Sequence, residues 1–262
     1  MATARNKRLR GVAWVAGVLA ALALGLEIYT RWPSSAELPP LALDADTRYV
    51  VLLIHGSRGS NEPAFIEMER RFKEANGATP GVAVVRLIWA PHDTRIRSYA
   101  HSRRIGAAIG RELAALPLLA DVRMVAHSAG AYFLDPICEA YGANADANPP
   151  AHFEMTFLDG IGIRGGWDYD WGYRSHGRCA DFARSIYSAN DPAPGHNEPY
   201  DHAHNIDVTD APGRAGSDRP GHYYPLRYFL DGLDRDEMQP RLRTHADAPR
   251  GEVMFVVSDT KN

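Results

Sequence analysis

The chain has 262 residues, 45% of them hydrophobic and 23% charged, enough to bury the core of one ordinary domain plus a short appendage and too apolar for a disordered chain. Its formal net charge is -3 and the sequence shows no basic cluster outside the first ten residues, which argues against nucleic acid as a partner.

Arg5, Lys7, Arg8 and Arg10 precede an unbroken run of apolar residues and glycines from Gly11 to Leu26. A spanning helix wants about 20 apolar residues and a signal-peptide core about 7 to 15, so this run falls between the two. Ala21-Leu22-Ala23 offers a cleavage site, but the run continues past it, and Tyr29 and Trp32 lie where interfacial aromatics sit. Residues 1–32 are therefore expected to be a retained transmembrane or signal-anchor helix, with secretion after cleavage as the alternative. Positive charge stays cytoplasmic, which puts the rest of the chain in the periplasm or outside the cell. Residues 33–47, rich in Pro, Ser, Ala and Asp, read as a linker, and 48–262 as one domain with 234–262 as its C-terminal extension.

Tyr49 to Ile54 is a continuous apolar run, read as a strand buried on both faces, and it enters the loop His55-Gly56-Ser57-Arg58-Gly59. Asn61 to Asn76 reads as a helix with Phe65, Met68 and Phe72 on one face, Asn61 or Ser60 as its cap, Pro63 in its first turn and Gly77 as its stop. A second buried strand is predicted at Val82 to Trp89. Thr94 to Leu116 carries Ile105, Ile109, Leu113 and Leu116 at helical spacing, and Val122 to Ala126 is a third strand. Further strands are predicted at Phe153 to Leu158, Arg184 to Ala189 and Asn205 to Thr209, a helix at Leu226 to Leu233, and an added edge strand at Val253 to Val257. Strands alternating with helices of this length define a parallel α/β sheet, whose ligands bind at the carboxyl ends of the strands.

Val125 to Gly130 reads Val-Ala-His-Ser-Ala-Gly directly after the third strand, the pattern that presents a nucleophilic serine on a tight strand-to-helix turn. Small residues are needed on both sides of Ser128, and Ala126 and Gly130 supply them; Pro136 should bend or shorten the helix that follows. A serine needs an imidazole to take its proton and a carboxylate to hold that imidazole in the right tautomer. His222, in Gly221-His222-Tyr223-Tyr224-Pro225, is the candidate base, ahead of His196, His202 and His204. Two aspartates close strands and either can reach one histidine: Asp191 is preferred, because the strand before the histidine's own normally supplies the acid, with Asp159 the alternative. The oxyanion would be held by the backbone N–H groups of Ala129 and Ser57. His55 and His127 are read as packing residues, with His127 directed away from the catalytic partner by strand alternation. Cys138 and Cys179 form either one disulfide or two buried thiols, and no Cys/His spacing resembles a metal site.

The set His55-Gly56, Ala-His-Ser128-Ala-Gly, Leu-Asp159, Asn-Asp191-Pro-Ala-Pro and His222-Tyr-Tyr-Pro-Leu-Arg-Tyr-Phe resembles the α/β-hydrolase lipases over about residues 48–233. The Asn-Asp-x-x-Pro segment is similar to the fungal-type triacylglycerol lipases, which supports Asp191, and the Leu-Asp strand end to the pancreatic type, which supports Asp159. The resemblance implies a mostly parallel central sheet with helices on both faces. It also implies hydrolysis of a small-molecule ester or lipid through an acyl-enzyme, with no metal or organic cofactor. A non-catalytic hydrolase-fold protein binding lipid or a partner at the envelope is the alternative. The aromatic, glycine-rich segment Ile161 to Asp181 is expected either to cover the pocket or to pack on itself.

Overall fold

A computed structural model describes residues 2–94, 96–146, 150–191, 195, 197–214, 221–233 and 242–257. Pro192, Ala193, Pro194 and His196, together with 234–241, lie outside the described residues.

Seven parallel strands form one sheet: β1 Tyr49–Ile54, β2 Val82–Leu87, β3 Asp121–His127, β4 His152–Leu158, β5 Phe182–Tyr187, β6 His204–Asp207 and β7 Val253–Phe255, in the order β2-β1-β3-β4-β5-β6-β7. Register brings their carboxyl ends together, with Ile54 beside Ala126, His127 beside Leu158 and Leu158 beside Ile186. Loops leaving β1, β3, β4 and β5 therefore share one rim, where a site is expected in an open α/β sheet.

The helices are α1 Ala2–Arg31, α2 Pro63–Asn76, α3 Ser98–Ala114, α4 Leu134–Asn144, α5 Trp171–Ser175 and α6 Tyr224–Asp231. Strand alternation divides the interior into two apolar layers. Val50, Leu52 and Ile54 of β1 face Ile105, Ile109 and Leu113 of α3 and Ile137 of α4, while Val51 and Leu53 face Phe65, Met68 and Phe72 of α2 and Phe229 and Leu230 of α6. Each such buried side chain contributes about 1.5–3 kcal/mol. On the first layer α4 approaches α3 so closely that a methyl at Gly110 would meet the Ile137 carbonyl at 2.3 Å.

Several local expectations are corrected. α2 starts at Pro63, preceded by Glu62 without a side-chain cap, rather than at an Asn61 or Ser60 cap. Proline's fixed φ suits the first helical position, where its missing N–H costs nothing. β2 ends at Leu87 and is an edge strand, half-buried over most of its length, because only β1 pairs with it. The α-helix after Ser128 is short, as expected of the segment holding Pro136: a 3₁₀ turn, Ser128–Phe133, precedes α4 and leaves Pro136 in that helix's first turn. The segment 33–47 is no loose tether. Ala36 is buried, Leu38, Leu41 and Leu43 pack against the α3 side of the core, and the Leu41 N–H donates to Glu112 Oε2 at 2.9 Å.

Cys138 of α4 and Cys179 are joined in a disulfide, with 6.0 Å between their Cα atoms. α1 contains a 21-residue stretch, Gly11–Arg31, of mean hydropathy 2.0 with no buried residue in its most apolar window, long and apolar enough to cross a membrane; signal sequences share these properties.

Candidate active site

Ser128 follows the last residue of β3 and has φ +54, the left-handed region that costs a non-glycine residue energy and aims its side chain off the strand's line. Two glycines make this turn possible. A Cβ on Gly130 would meet the carbonyl oxygens of Ile54 at 2.6 Å and His55 at 2.9 Å, and one on Gly56 would meet Ser128 Cβ at 2.7 Å. The turn is also held from below, where the Ser128 carbonyl accepts the Ile161 N–H at 3.1 Å. Ala129 is the second residue of the 3₁₀ turn, a position whose N–H has no carbonyl within the turn to bond. Ala129 and Ser57 line the same cavity as Ser128 and His222.

His222 enters on a 3₁₀ turn, Gly221–Tyr223, opened by Gly221 at φ +74. Its Nδ1 lies 2.6 Å from Asp159 Oδ2 and 3.7 Å from Asp191 Oδ2. Only the first is a hydrogen bond, so the distances reverse the preference for Asp191 over Asp159. The cause is local. Asp159, fully buried at the end of β4, takes φ +47, which aspartate tolerates better than most residues and which turns its carboxylate across the rim. Its N–H donates to the Ile186 carbonyl at 2.8 Å, and its Oδ1 accepts the Ser188 N–H at 3.2 Å, leaving Oδ2 for the imidazole. Behind it Tyr200, whose hydroxyl donates to the Gly160 carbonyl, has its pKa raised by burial and then by the Asp159 charge. A carboxylate only accepts, so Nδ1 carries the proton and Nε2 is left as a base.

Asp159, Asp191 and His222 each place one ligating atom within 4.8 Å of the others. A proton suits this spacing better than a metal ion. Two ligands about 2.0–2.1 Å from a tetrahedral zinc stand about 3.3 Å apart, well beyond the 2.6 Å between Nδ1 and Oδ2.

His127 corrects a second expectation. Strand alternation was to direct it away, yet its ring lies 4.6 Å from that of His222 and its Nε2–H donates to the His222 carbonyl at 3.0 Å. Alternation fixes the side of the sheet but not which loop crosses it, and the His222 turn crosses the end of β3. His55 is the packing residue foreseen: fully buried, it faces the Gly56 carbonyl through Nδ1 at 2.7 Å and the Trp89 N–H through Nε2 at 3.3 Å. A carbonyl requires Nδ1–H and an N–H requires a lone pair on Nε2, so the ring is neutral. Burial lowers its pKa accordingly. His202 and His204 lie at or beside β6 and do not line the cavity.

The cavity above Ser128 has a volume of about 570 Å³, within the range of small-molecule sites. Its apolar wall comes from Ile96, Tyr99, Tyr132, Ile161 and Ile163. The Ile161 to Asp181 segment is both alternatives at once. Trp171 packs against Tyr99, Tyr132 and His176, Asp168 pairs with Arg164 and Arg174, and the stretch 161–166 is a side of the cavity. The Tyr132 hydroxyl fixes that side by donating to the Ile163 carbonyl. Leu26 and Thr30 of α1 complete the wall, a contribution no local signal in the sequence could disclose.

A scan against protein-family models finds no matching family, and a search of curated proteins finds no matching relative.

Proposed function

We propose that this chain is a serine hydrolase of the α/β-hydrolase type that cleaves carboxylic esters while held at a membrane by α1. The observation that carries the reading is the His222–Asp159 hydrogen bond beside a serine in left-handed backbone at the end of a central parallel strand. Ser128 Oγ attacks the acyl carbon as His222 Nε2 takes its proton, and Asp159 stabilises the imidazolium through Nδ1–H. The N–H groups of Ala129 and Ser57 bind the oxyanion. His222 returns the proton to the leaving alcohol, then removes one from the water that attacks the acyl-serine. Released are a carboxylic acid and the free enzyme, with no cofactor required. The disulfide and the positive-inside argument support a domain on the periplasmic or outer side.

The test is turnover of p-nitrophenyl butyrate by the full chain in detergent. Wild type should hydrolyse it, and Ser128→Ala, folded equally well, should lose about four orders of magnitude or more in kcat. Equal rates for the two would overturn the reading.

A further inference from the structure

The end of the apolar helix is built into the site. Besides Leu26 and Thr30 in the cavity wall, Glu27 accepts the Gly166 N–H at 2.6 Å and pairs with Arg31, which pins the loop 163–166 to α1. Arg97 holds the same end from α3's side, its guanidinium 4.9 Å over the Tyr29 ring and its Nη2 donating to the Trp32 carbonyl at 2.8 Å. At 1.5 Å per residue, Leu26 stands about 7.5 Å back along the helix from Arg31. Tyr29 and Trp32 are exposed beside this end, and Trp167, next in the chain to the lining residue Gly166, is exposed too; Trp and Tyr are the residue types that settle at a bilayer interface. A cavity entered next to Leu26 thus opens at the boundary of headgroups and acyl chains, where the ester bonds of glycerolipids lie.

Next to it, on the Arg31 side, is a second cleft of about 450 Å³ that shares Tyr99 with the first and is lined by Arg31, Arg103, Arg104 and Arg164. The sequence showed no basic cluster here because these arginines come from three separate segments. Arg31, Arg104 and Arg164 have partners in Glu27, Glu37 and Asp168. Arg103 is exposed, lies 5.8 Å from the Tyr99 ring centre and makes no ion pair among the described residues.

We propose that the substrate is the acyl ester of an anionic glycerophospholipid entering sideways from the bilayer, with its phosphate on the arginine cleft and Arg103 as the principal contact. The proposal rests on the ester-hydrolase and anchor readings above. Acyl chain, ester and phosphate follow one another outward in a phospholipid as Leu26, the Ser128 cavity and the Arg31 cleft follow one another along α1. Arginine's planar fork suits a phosphate, and a neutral glyceride would leave the cleft unused. Ser128 Oγ bonds to the acyl carbon, the lysophospholipid alkoxide leaves with the proton held by His222, and water then releases the fatty acid.

The full chain is reconstituted by α1 into vesicles of phosphatidylglycerol or of phosphatidylcholine, so that neither rate depends on recruitment from solution by surface charge. Fatty-acid release is measured beside p-nitrophenyl butyrate turnover. Wild type should release fatty acid from phosphatidylglycerol at least tenfold faster than from phosphatidylcholine, and Arg103→Gln should lower the ratio of phosphatidylglycerol to p-nitrophenyl butyrate rates about tenfold. Turnover of p-nitrophenyl butyrate with no preference between the vesicles, or an unmoved ratio in Arg103→Gln, would overturn the substrate assignment alone. Absence of turnover on all three substrates would overturn the ester-hydrolase reading and this inference with it.

Discussion

Replacing Asp159 by asparagine should cost far more than the same change at Asp191, although both carboxylates face one imidazole. Asp159 uses both oxygens as acceptors, Oδ1 for the Ser188 N–H at 3.2 Å and Oδ2 for His222 Nδ1–H at 2.6 Å. Asparagine has a single acceptor oxygen. If it keeps the Ser188 bond, its NH₂ faces Nδ1, and the ring must move its proton to Nε2, the atom that has to be basic. The negative charge opposite the imidazolium is lost as well. In serine-hydrolase triads a wrong tautomer costs about 10³ to 10⁴ in turnover, or about 4–5.5 kcal/mol at 1.36 kcal/mol per decade. Asp191 Oδ2, at 3.7 Å from Nδ1, makes no hydrogen bond to His222 and contributes charge alone. A unit charge about 4 Å away is worth about 1 kcal/mol in water and about 4 kcal/mol at an effective dielectric of 20, so Asp191→Asn should lose between about fivefold and somewhat under a thousandfold, below the loss in Asp159→Asn. The assay is kcat/KM on p-nitrophenyl butyrate, with circular dichroism and thermal midpoint checking that both variants fold. A loss in Asp191→Asn equal to or greater than that in Asp159→Asn would refute the assignment of the orienting acid.

Other parts of the structure can be tested independently. Gly56→Ala should fold but lose at least about a hundredfold in kcat/KM, because its methyl would stand 2.7 Å from Ser128 Cβ and displace the Ser128 hydroxyl; an unchanged rate would contradict the packing of the turn. Replacing Cys138 and Cys179 by serine frees a chain separation of 41 residues, worth about 4 kcal/mol of unfolded-state entropy, and should lower the calorimetric midpoint by about 8–16 °C. Acidification should destabilise the fold through His55. Its pKa is lowered in the folded state, so between that value and 6.5 the unfolded chain binds a proton that the folded one does not, and stability present above 6.5 is lost as pH falls. His101 and His245, also lowered by burial, act in the same direction, while the raised pKa of His152 opposes them. Thermal midpoints should therefore fall from pH 8 to pH 5 and fall less steeply in His55→Gln; a midpoint that rises on acidification would contradict the neutral, buried ring.

The sheet was legible because buried parallel strands are apolar runs: Tyr49–Ile54 coincides with its predicted bounds, and β3, β4, β5 and β6 differ from theirs by two residues or fewer at each end. Ser128 was legible for a related reason, since the turn's demand for small neighbours leaves a local pattern in Ala126, Gly130 and, across the gap, Gly56. The choice of acid was not, because two adjacent strand ends offer carboxylates at similar chain positions and backbone geometry decides between them. The one local clue was Asp159-Gly160, an aspartate placed where a left-handed turn follows the strand. Contributions from remote segments left no local trace. His127 meets His222 because a later loop crosses β3, and Leu26 reaches the cavity only through the docking of α1. The same holds for the linker, whose Leu38, Leu41 and Leu43 look unremarkable among prolines until α3 lies beside them.

Fluorophosphonate labelling of the folded full chain, read by intact mass and peptide mapping, bears most directly on whether Ser128 is a nucleophile driven by a working base. A single adduct on Ser128 in wild type, sharply slowed in His222→Ala, is the expected result. A well-folded chain that takes no label, or takes it on another serine, would contradict the account.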